Sequence, residues 1–181
     1  MENKFIRLVG PDICLSSQAA EYYKRNRRFL EEFEPVRKES FFTEEFQRDL
    51  IEQEISDWNE KKSFHFYIQP ADDPHMIIGM IGLNNVIWGP FCSAFLGYKL
   101  DESFLNQGYM SMAVDMVVGY AFNKLHLHRI EANVMPKNIP SLKVLEHNHF
   151  INEGLSKYYL KINGIWEDHL HMVRINYDMH R

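Results

Sequence analysis

The chain has 181 residues, 45% hydrophobic and 25% charged, which is enough for one sizeable core and short for two, so a single domain over 1–181 is expected. Its net charge of −5 argues against holding nucleic acid by counterion release and against an anionic membrane surface. The charge is unevenly placed: residues 31–60 carry 11 carboxylates against three basic residues, a local balance of −8, and the remainder is +3. An acidic region and a mildly basic remainder can meet partners of opposite charge at different places.

Cys14 and Cys92 form neither a disulfide framework nor a CxxC element. The opening MENKFIRLVGPD is too polar for a signal peptide, and no apolar run approaches the ~20 residues of a membrane span. A reducing, cytoplasmic setting is therefore expected.

Phe5–Val9 reads as a first strand, stopped by Gly10-Pro11. Between Ser16 and Phe33 the apolar positions recur at helical spacing until Pro35. Thr43 is the expected N-cap of a second helix, with Phe46, Leu50, Ile51, Ile55 and Trp58 facing inward. Phe64–Gln69 and Met76–Val86 read as strands around a Pro70–Pro74 turn, and Phe91–Leu100 as another.

Residues 100–108 run from that strand into a helical pattern whose buried stripe is Ala113, Met116, Val117, Tyr120, Ala121 and Leu125. A strand, a loop with Gly108 and a helix start present unpaired N–H groups and a positive dipole end, which suits a phosphate or pyrophosphate; one glycine alone favours a plain strand-to-helix turn. A strand over Arg129–Met135, a helix from Ile139 to about His149 and strands around Tyr158–Ile162 and Ile165–Asn176 complete the chain. Asn163-Gly164 is a strong two-residue hairpin signal. Strands with intervening helices give an α+β, mixed α/β class.

Residues 26–37, 127–141, 144–146, 150–154 and 162–169 together resemble the GNAT superfamily of N-acetyltransferases, and within it the RimJ/RimL type that acts on ribosomal-protein alanine N-termini. The resemblance implies a central twisted mixed sheet of about seven strands with flanking helices. It implies acetyl-CoA lying in a splay between two parallel strands, here Phe91–Leu100 and Arg129–Met135. The family's pyrophosphate motif places Arg or Gln, Gly, and Gly or Ala where this chain has Leu105, Gly108 and Met110; only the glycine matches. The cofactor assignment therefore rests on the backbone of Gln107, Gly108, Tyr109, Met110 and Ser111.

By the same resemblance, Tyr98, Lys99 and Leu100 offer backbone groups to the pantetheine arm, and one N–H there faces the thioester oxygen. An ordinary core strand with a bulge at Gly97 reads equally. Asn138 is either a helix cap or a pantetheine ligand, and Ser141 stands near the sulfur as a donor to the departing thiolate. Glu131 is a candidate base acting through water, or a solvent-facing partner of a basic neighbour. Glu31 and Glu34 flank the acceptor groove; Asp168 is a second candidate base through water, and with His169 is expected to shape the groove. Lys124, Lys137 and Lys143 are candidates for the coenzyme phosphates.

Three H-x-H pairs lack a third ligand at zinc spacing, so no metal is expected. The implied partner is a protein N-terminus, ribosomal protein S5 in the RimJ case, or a small amine, and a homo-oligomer stays open. A non-catalytic acyl-CoA-binding module is the alternative class, which the degraded loop motif allows.

Overall fold

A computed structural model describes residues 1–180 and contains one seven-stranded sheet. Its strands are β1 (Ile6–Val9), β2 (Phe64–Pro70), β3 (Gly79–Ile87), β4 (Ser93–Leu100), β5 (Arg129–Val134), β6 (Ile151–Ile162) and β7 (Ile165–Ile175). They are ordered β1-β2-β3-β4-β5-β7-β6. All neighbours are antiparallel except β4 and β5. The helices are α1 (Ser16–Leu30), α2 (Glu44–Asn59), α3 (Tyr109–Asn123) and α4 (Ile139–His147).

Alternation along the strands separates two cores. Phe64, Phe66, Ile68, Ile81, Leu83 and Leu96 pack with α3 and α4 on one face. Tyr67 and Ile77, joined by the partly buried Met80, pack with α1 and α2 on the other. Thr43 caps α2 as expected, its Oγ1 accepting from Phe46 N at 3.3 Å. Phe46 and Leu50, expected inward, are instead exposed at 36% and 37%, because α2 buries a narrow stripe centred on Ile51.

The last hairpin follows its sequence signal. Asn163 and Gly164 both have positive φ, 49° and 87°, the requirement of a type I′ turn. β6 is longer than expected, because bulges between Asn152 and Ser156–Leu160 carry it back to Ile151. Asn163 also ties the hairpin to the α1–α2 connection: Nδ2 donates to the carbonyls of Glu31 (2.9 Å) and Glu34 (3.2 Å), and Oδ1 accepts from Val36 N (2.8 Å).

A buried carboxylate joins α1 to the exit of β4. Asp101, 1% exposed, accepts from Arg25 Nε at 2.6 Å, Asn26 Nδ2 at 2.9 Å and Ser103 N at 2.9 Å. Burial opposes its charge, but these donors prevail and hold its pKa below the ordinary value. Its contribution is fully present above the unfolded pKa of ~3.9 and is lost as pH falls through the depressed folded value. Asp101→Asn, which leaves Arg25 without its counter-charge, is expected to lower the unfolding free energy by about 3 kcal/mol in urea titrations.

Candidate active site

The parallel pairing of β4 with β5 lasts three residues, Ser93–Phe95 against Arg129–Glu131, and then the strands part. β4 stays paired with β3 through Leu100, and β5 with β7 through Val134, so the gap opens between these two strands alone. Asp101 N donates to Ile78 O at 2.7 Å. By the alternation of antiparallel ladders, Leu96, Tyr98 and Leu100 turn their N–H and C=O groups away from β3 and into the gap. A cavity of about 880 Å³ includes this gap and is lined from both faces of the sheet.

On the α3–α4 face the cavity reaches the start of α3. Asn106 and Gly108 are left-handed, at φ 59° and 80°, and Gly108 occupies the N-cap. None of the backbone N–H groups from Gln107 to Ser111 donates to another group among the described residues. They form a cradle for an anion that needs no particular side chain. Leu105 in place of the family's Arg or Gln therefore leaves this cradle intact. Gln107 lines an adjoining hollow of about 620 Å³ with His147, Asn148 and His149.

At the gap itself, Tyr98 Oη lies 2.8 Å from Ser141 Oγ and donates to Ser141 O at 3.1 Å. Burial pushes the Tyr98 hydroxyl well above its ordinary pKa, with the Ser141 contact pulling back in part, so it stays protonated at neutral pH. Asn138 is the N-cap of α4, its Oδ1 accepting from Ser141 N at 3.2 Å. The cap and the ligand roles are compatible, because Asn138 also lines the cavity with its amide nitrogen left over.

On the α1–α2 face, Lys99 Nζ pairs with Glu34 Oε1 at 2.5 Å and reaches Tyr23 Oη at 3.2 Å. Burial disfavours the ammonium, but Tyr23 and Glu34 outweigh it and raise the pKa. Beside them runs a chain absent from the sequence reading: Tyr67, Glu54, His65 and Asn84 are linked by contacts of 2.8, 2.8 and 2.7 Å. The available signal was polarity at alternate positions of a buried strand, His65 and Tyr67, opposite the inward face of α2. His65, Gly82 and Gly97 form one cross-strand row: the His65 ring covers Gly82, and Gly97 gives this side of the cavity a floor without a side chain.

Of the residues expected from sequence, Tyr98, Lys99, Leu100, Gly108, Tyr109, Met110, Ser111, Asn138, Ser141 and Glu34 line the cavity. Glu131, Glu31 and Asp168 do not. Glu131 accepts from Arg129 Nε at 2.8 Å, and Arg129 also grips Glu153. Glu31 pairs with Arg27 at 3.4 Å, and Asp168 accepts from Tyr158 N at 2.8 Å to hold the bulge of β6. Of the three lysines, Lys143 lines the cavity, whereas Lys124 does not and Lys137 is paired with Glu167 at 2.6 Å. No group of three His, Cys, Asp or Glu able to hold a metal occurs among the described residues.

Residues 16–151 match the acetyltransferase (GNAT) domain family. The chain is 42% identical over 153 residues to the probable N-acetyltransferase YjcK of Bacillus subtilis, covering 84% of each. It is 36% identical over 152 residues to the ribosomal protein uS5-alanine N-acetyltransferase of Escherichia coli, covering 83% of this chain and 77% of that one. The solved structure of Mycobacterium smegmatis RimJ in complex with CoA-disulfide superposes with a TM-score of 0.87 at 25% identity, covering 98% of this chain and 90% of that one. The chain belongs to the GNAT family and is an N-acetyltransferase.

A Cβ at Gly82 would sit 2.3 Å from His65 Cδ2, so the imidazole lies directly over this glycine. His65 has a raised pKa: burial lowers it, but Glu54 foremost and Asn84 more than compensate. Gly82→Ala is expected to push the ring off its partners and return the pKa toward or below its ordinary 6.5, read from the imidazole proton shifts across a pH titration.

Proposed function

We propose that this enzyme transfers acetyl from acetyl-CoA to the N-terminal α-amine of a protein, with alanine-starting chains such as that of ribosomal protein S5 as the acceptor class. The observation that carries this reading is the gap between β4 and β5, which joins an anion cradle on one face to a polar, glycine-floored chamber on the other. The donor would lay its pyrophosphate on the Gln107–Ser111 cradle and its pantetheine arm along the unpaired edge of β4. Acetyl-CoA supplies an activated acyl group; the chain's own residues orient it and manage charge.

An N–H of β4 turned into the gap stands where the thioester oxygen gains negative charge, and a fixed dipole there costs no reorganisation during reaction. Tyr98 and Ser141 share a hydroxyl pair that offers a hydrogen to the departing thiolate. The α-ammonium loses one proton to solvent before its nitrogen attacks. The new C–N bond replaces the C–S bond, and a second nitrogen proton ends on the thiol through the hydroxyl pair. An α-amine with a pKa of ~7.7–8.0 gives up the first proton far more readily than lysine at ~10.4, which favours a chain end over a side chain.

The acidic early helices and the E. coli relative support a protein acceptor. No helix among the described residues is long and apolar enough to cross a membrane, and a cytoplasmic setting belongs to this reading. With acetyl-CoA and a panel of alanine-starting peptides, polyamines and N-terminally blocked lysine peptides, mass spectrometry should find acetyl on the α-amine of the first group, with release of free thiol. Acetylation of polyamines alone would overturn the choice of acceptor. Ser141→Ala is expected to lower kcat by about tenfold with coenzyme affinity unchanged.

A further inference from the structure

The Tyr67–Glu54–His65–Asn84 chain lines the acceptor side of the cavity and has no part in the chemistry above. Tyr67 Oη donates to Glu54 Oε2, His65 Nδ1 faces Glu54 Oε1, and His65 Nε2 faces Asn84 Oδ1. Both ring nitrogens face oxygen atoms, an arrangement that a doubly protonated ring satisfies at both ends. The groups that face it are Glu54 and Asp57 from α2, Tyr67 on its own strand and Asn84 from β3, with Lys99, Glu34 and Tyr23 further along the same chamber. Glu54 and Asp57 both favour the charged ring.

With Oδ1 held by His65, the Asn84 amide directs Nδ2 the other way. Nδ2 lies 3.5 Å from where a Cβ on Gly97 would sit, and nothing else comes within 4 Å of that point. Two donor hydrogens thus stand over the open floor of β4, the strand that borders the gap. A bulge between Asn84 and Ile87, with Asn85 at φ 48°, sets the end of β3 here, and bulges beside a site commonly re-aim a side chain.

We propose that Asn84 binds the first peptide carbonyl of the acceptor through Nδ2, with His65 and Glu54 as positioning residues that fix which end of its amide faces the acceptor. This rests on the α-amine reading. Adjacent strands are ~4.8 Å apart, so a donor on β3 over Gly97 stands about one residue's length from an amine at the far edge of β4. In an N-terminal residue the carbonyl lies just beyond the α-carbon, within that reach. An alkylamine has no acceptor there and leaves Nδ2 unpaired, so the contact selects chain ends. When His65 loses its proton, Nε2 becomes an acceptor and Asn84 turns over, presenting Oδ1 to the carbonyl. Acceptor affinity therefore falls as pH rises through the His65 pKa.

The probe is an alanine-starting peptide whose α-amine is replaced by hydrogen, so that it carries the carbonyl without a titrating nitrogen. Its binding is measured by calorimetry with CoA present, between about pH 6 and pH 9. Wild-type affinity should fall by about fivefold across this range, and Asn84→Ala should lose about fivefold at the acid end and show no pH dependence. His65→Gln, whose amide donates to Asn84 Oδ1 at every pH, should keep the acid-end affinity and flatten the profile. Unchanged CoA affinity in the variants reports an intact fold. Asn84→Ala with wild-type peptide affinity, or a wild-type pH profile in His65→Gln, overturns the proposal alone. Failure of the wild type to acetylate alanine-starting peptides overturns the α-amine reading and this proposal with it.

Discussion

Two strands that stop pairing in the middle of a sheet leave backbone donors and acceptors with no partner, an arrangement folded chains normally avoid. Here β4 and β5 pair for three residues and then diverge, each still held on its outer side by a full antiparallel neighbour. The edge of β4 that faces the gap is thus held on its outer side and can accept an added strand-like ligand. The Tyr98–Ser141 pair, the α3 cradle and the glycine floor all take their meaning from their position around that gap. The buried Asp101, gripped by Arg25 and Asn26, anchors the end of β4 to α1.

Strand alternation makes the gap a passage between chemically different rooms. Tyr98 points to the α3–α4 face, where Ser141 waits, and its neighbour Lys99 points to the α1–α2 face, where Glu34 and Tyr23 hold it. The anion cradle lies on the first side and the Glu54–His65–Asn84 chain on the second. Asn163 clamps the hairpin tip to the 31–36 connection, which carries the Glu34 that lines the second room. The local charge of −8 is accordingly less available than its size suggests: Glu31, Glu34 and Glu54 each already face a donor.

Much of this was legible in the sequence where the signal was local. Thr43 as a cap, Gly108 at the strand-to-helix turn and Asn163-Gly164 as a hairpin were each readable from a few residues. Features that depend on distant partners were not. Glu131 reads either as a base beside the cofactor or as the partner of a basic neighbour, and only the fold decides for the second by bringing Glu153 to the same Arg129. Glu54, His65 and Asn84 lie 11 and 19 residues apart along the chain and meet only because β2 and β3 pair beneath α2. Gly97 reads as a bulge marker, but the register runs regularly through it, places it in one row with Gly82 and His65, and puts the bulge at Asn84–Ile87 instead.

The central claim is that donor and acceptor meet through the sheet from opposite faces. It is tested most directly by a crystal structure with a bisubstrate ligand in which CoA is joined through its acetyl carbon to the α-nitrogen of an alanine-starting peptide. The account predicts the pantetheine arm hydrogen-bonded along Leu96–Leu100, the sulfur beside Ser141, the pyrophosphate on the 107–111 cradle and the peptide lying over Gly97. A ligand whose pantetheine stays outside the gap, or whose peptide leaves on the α3–α4 face, would contradict it.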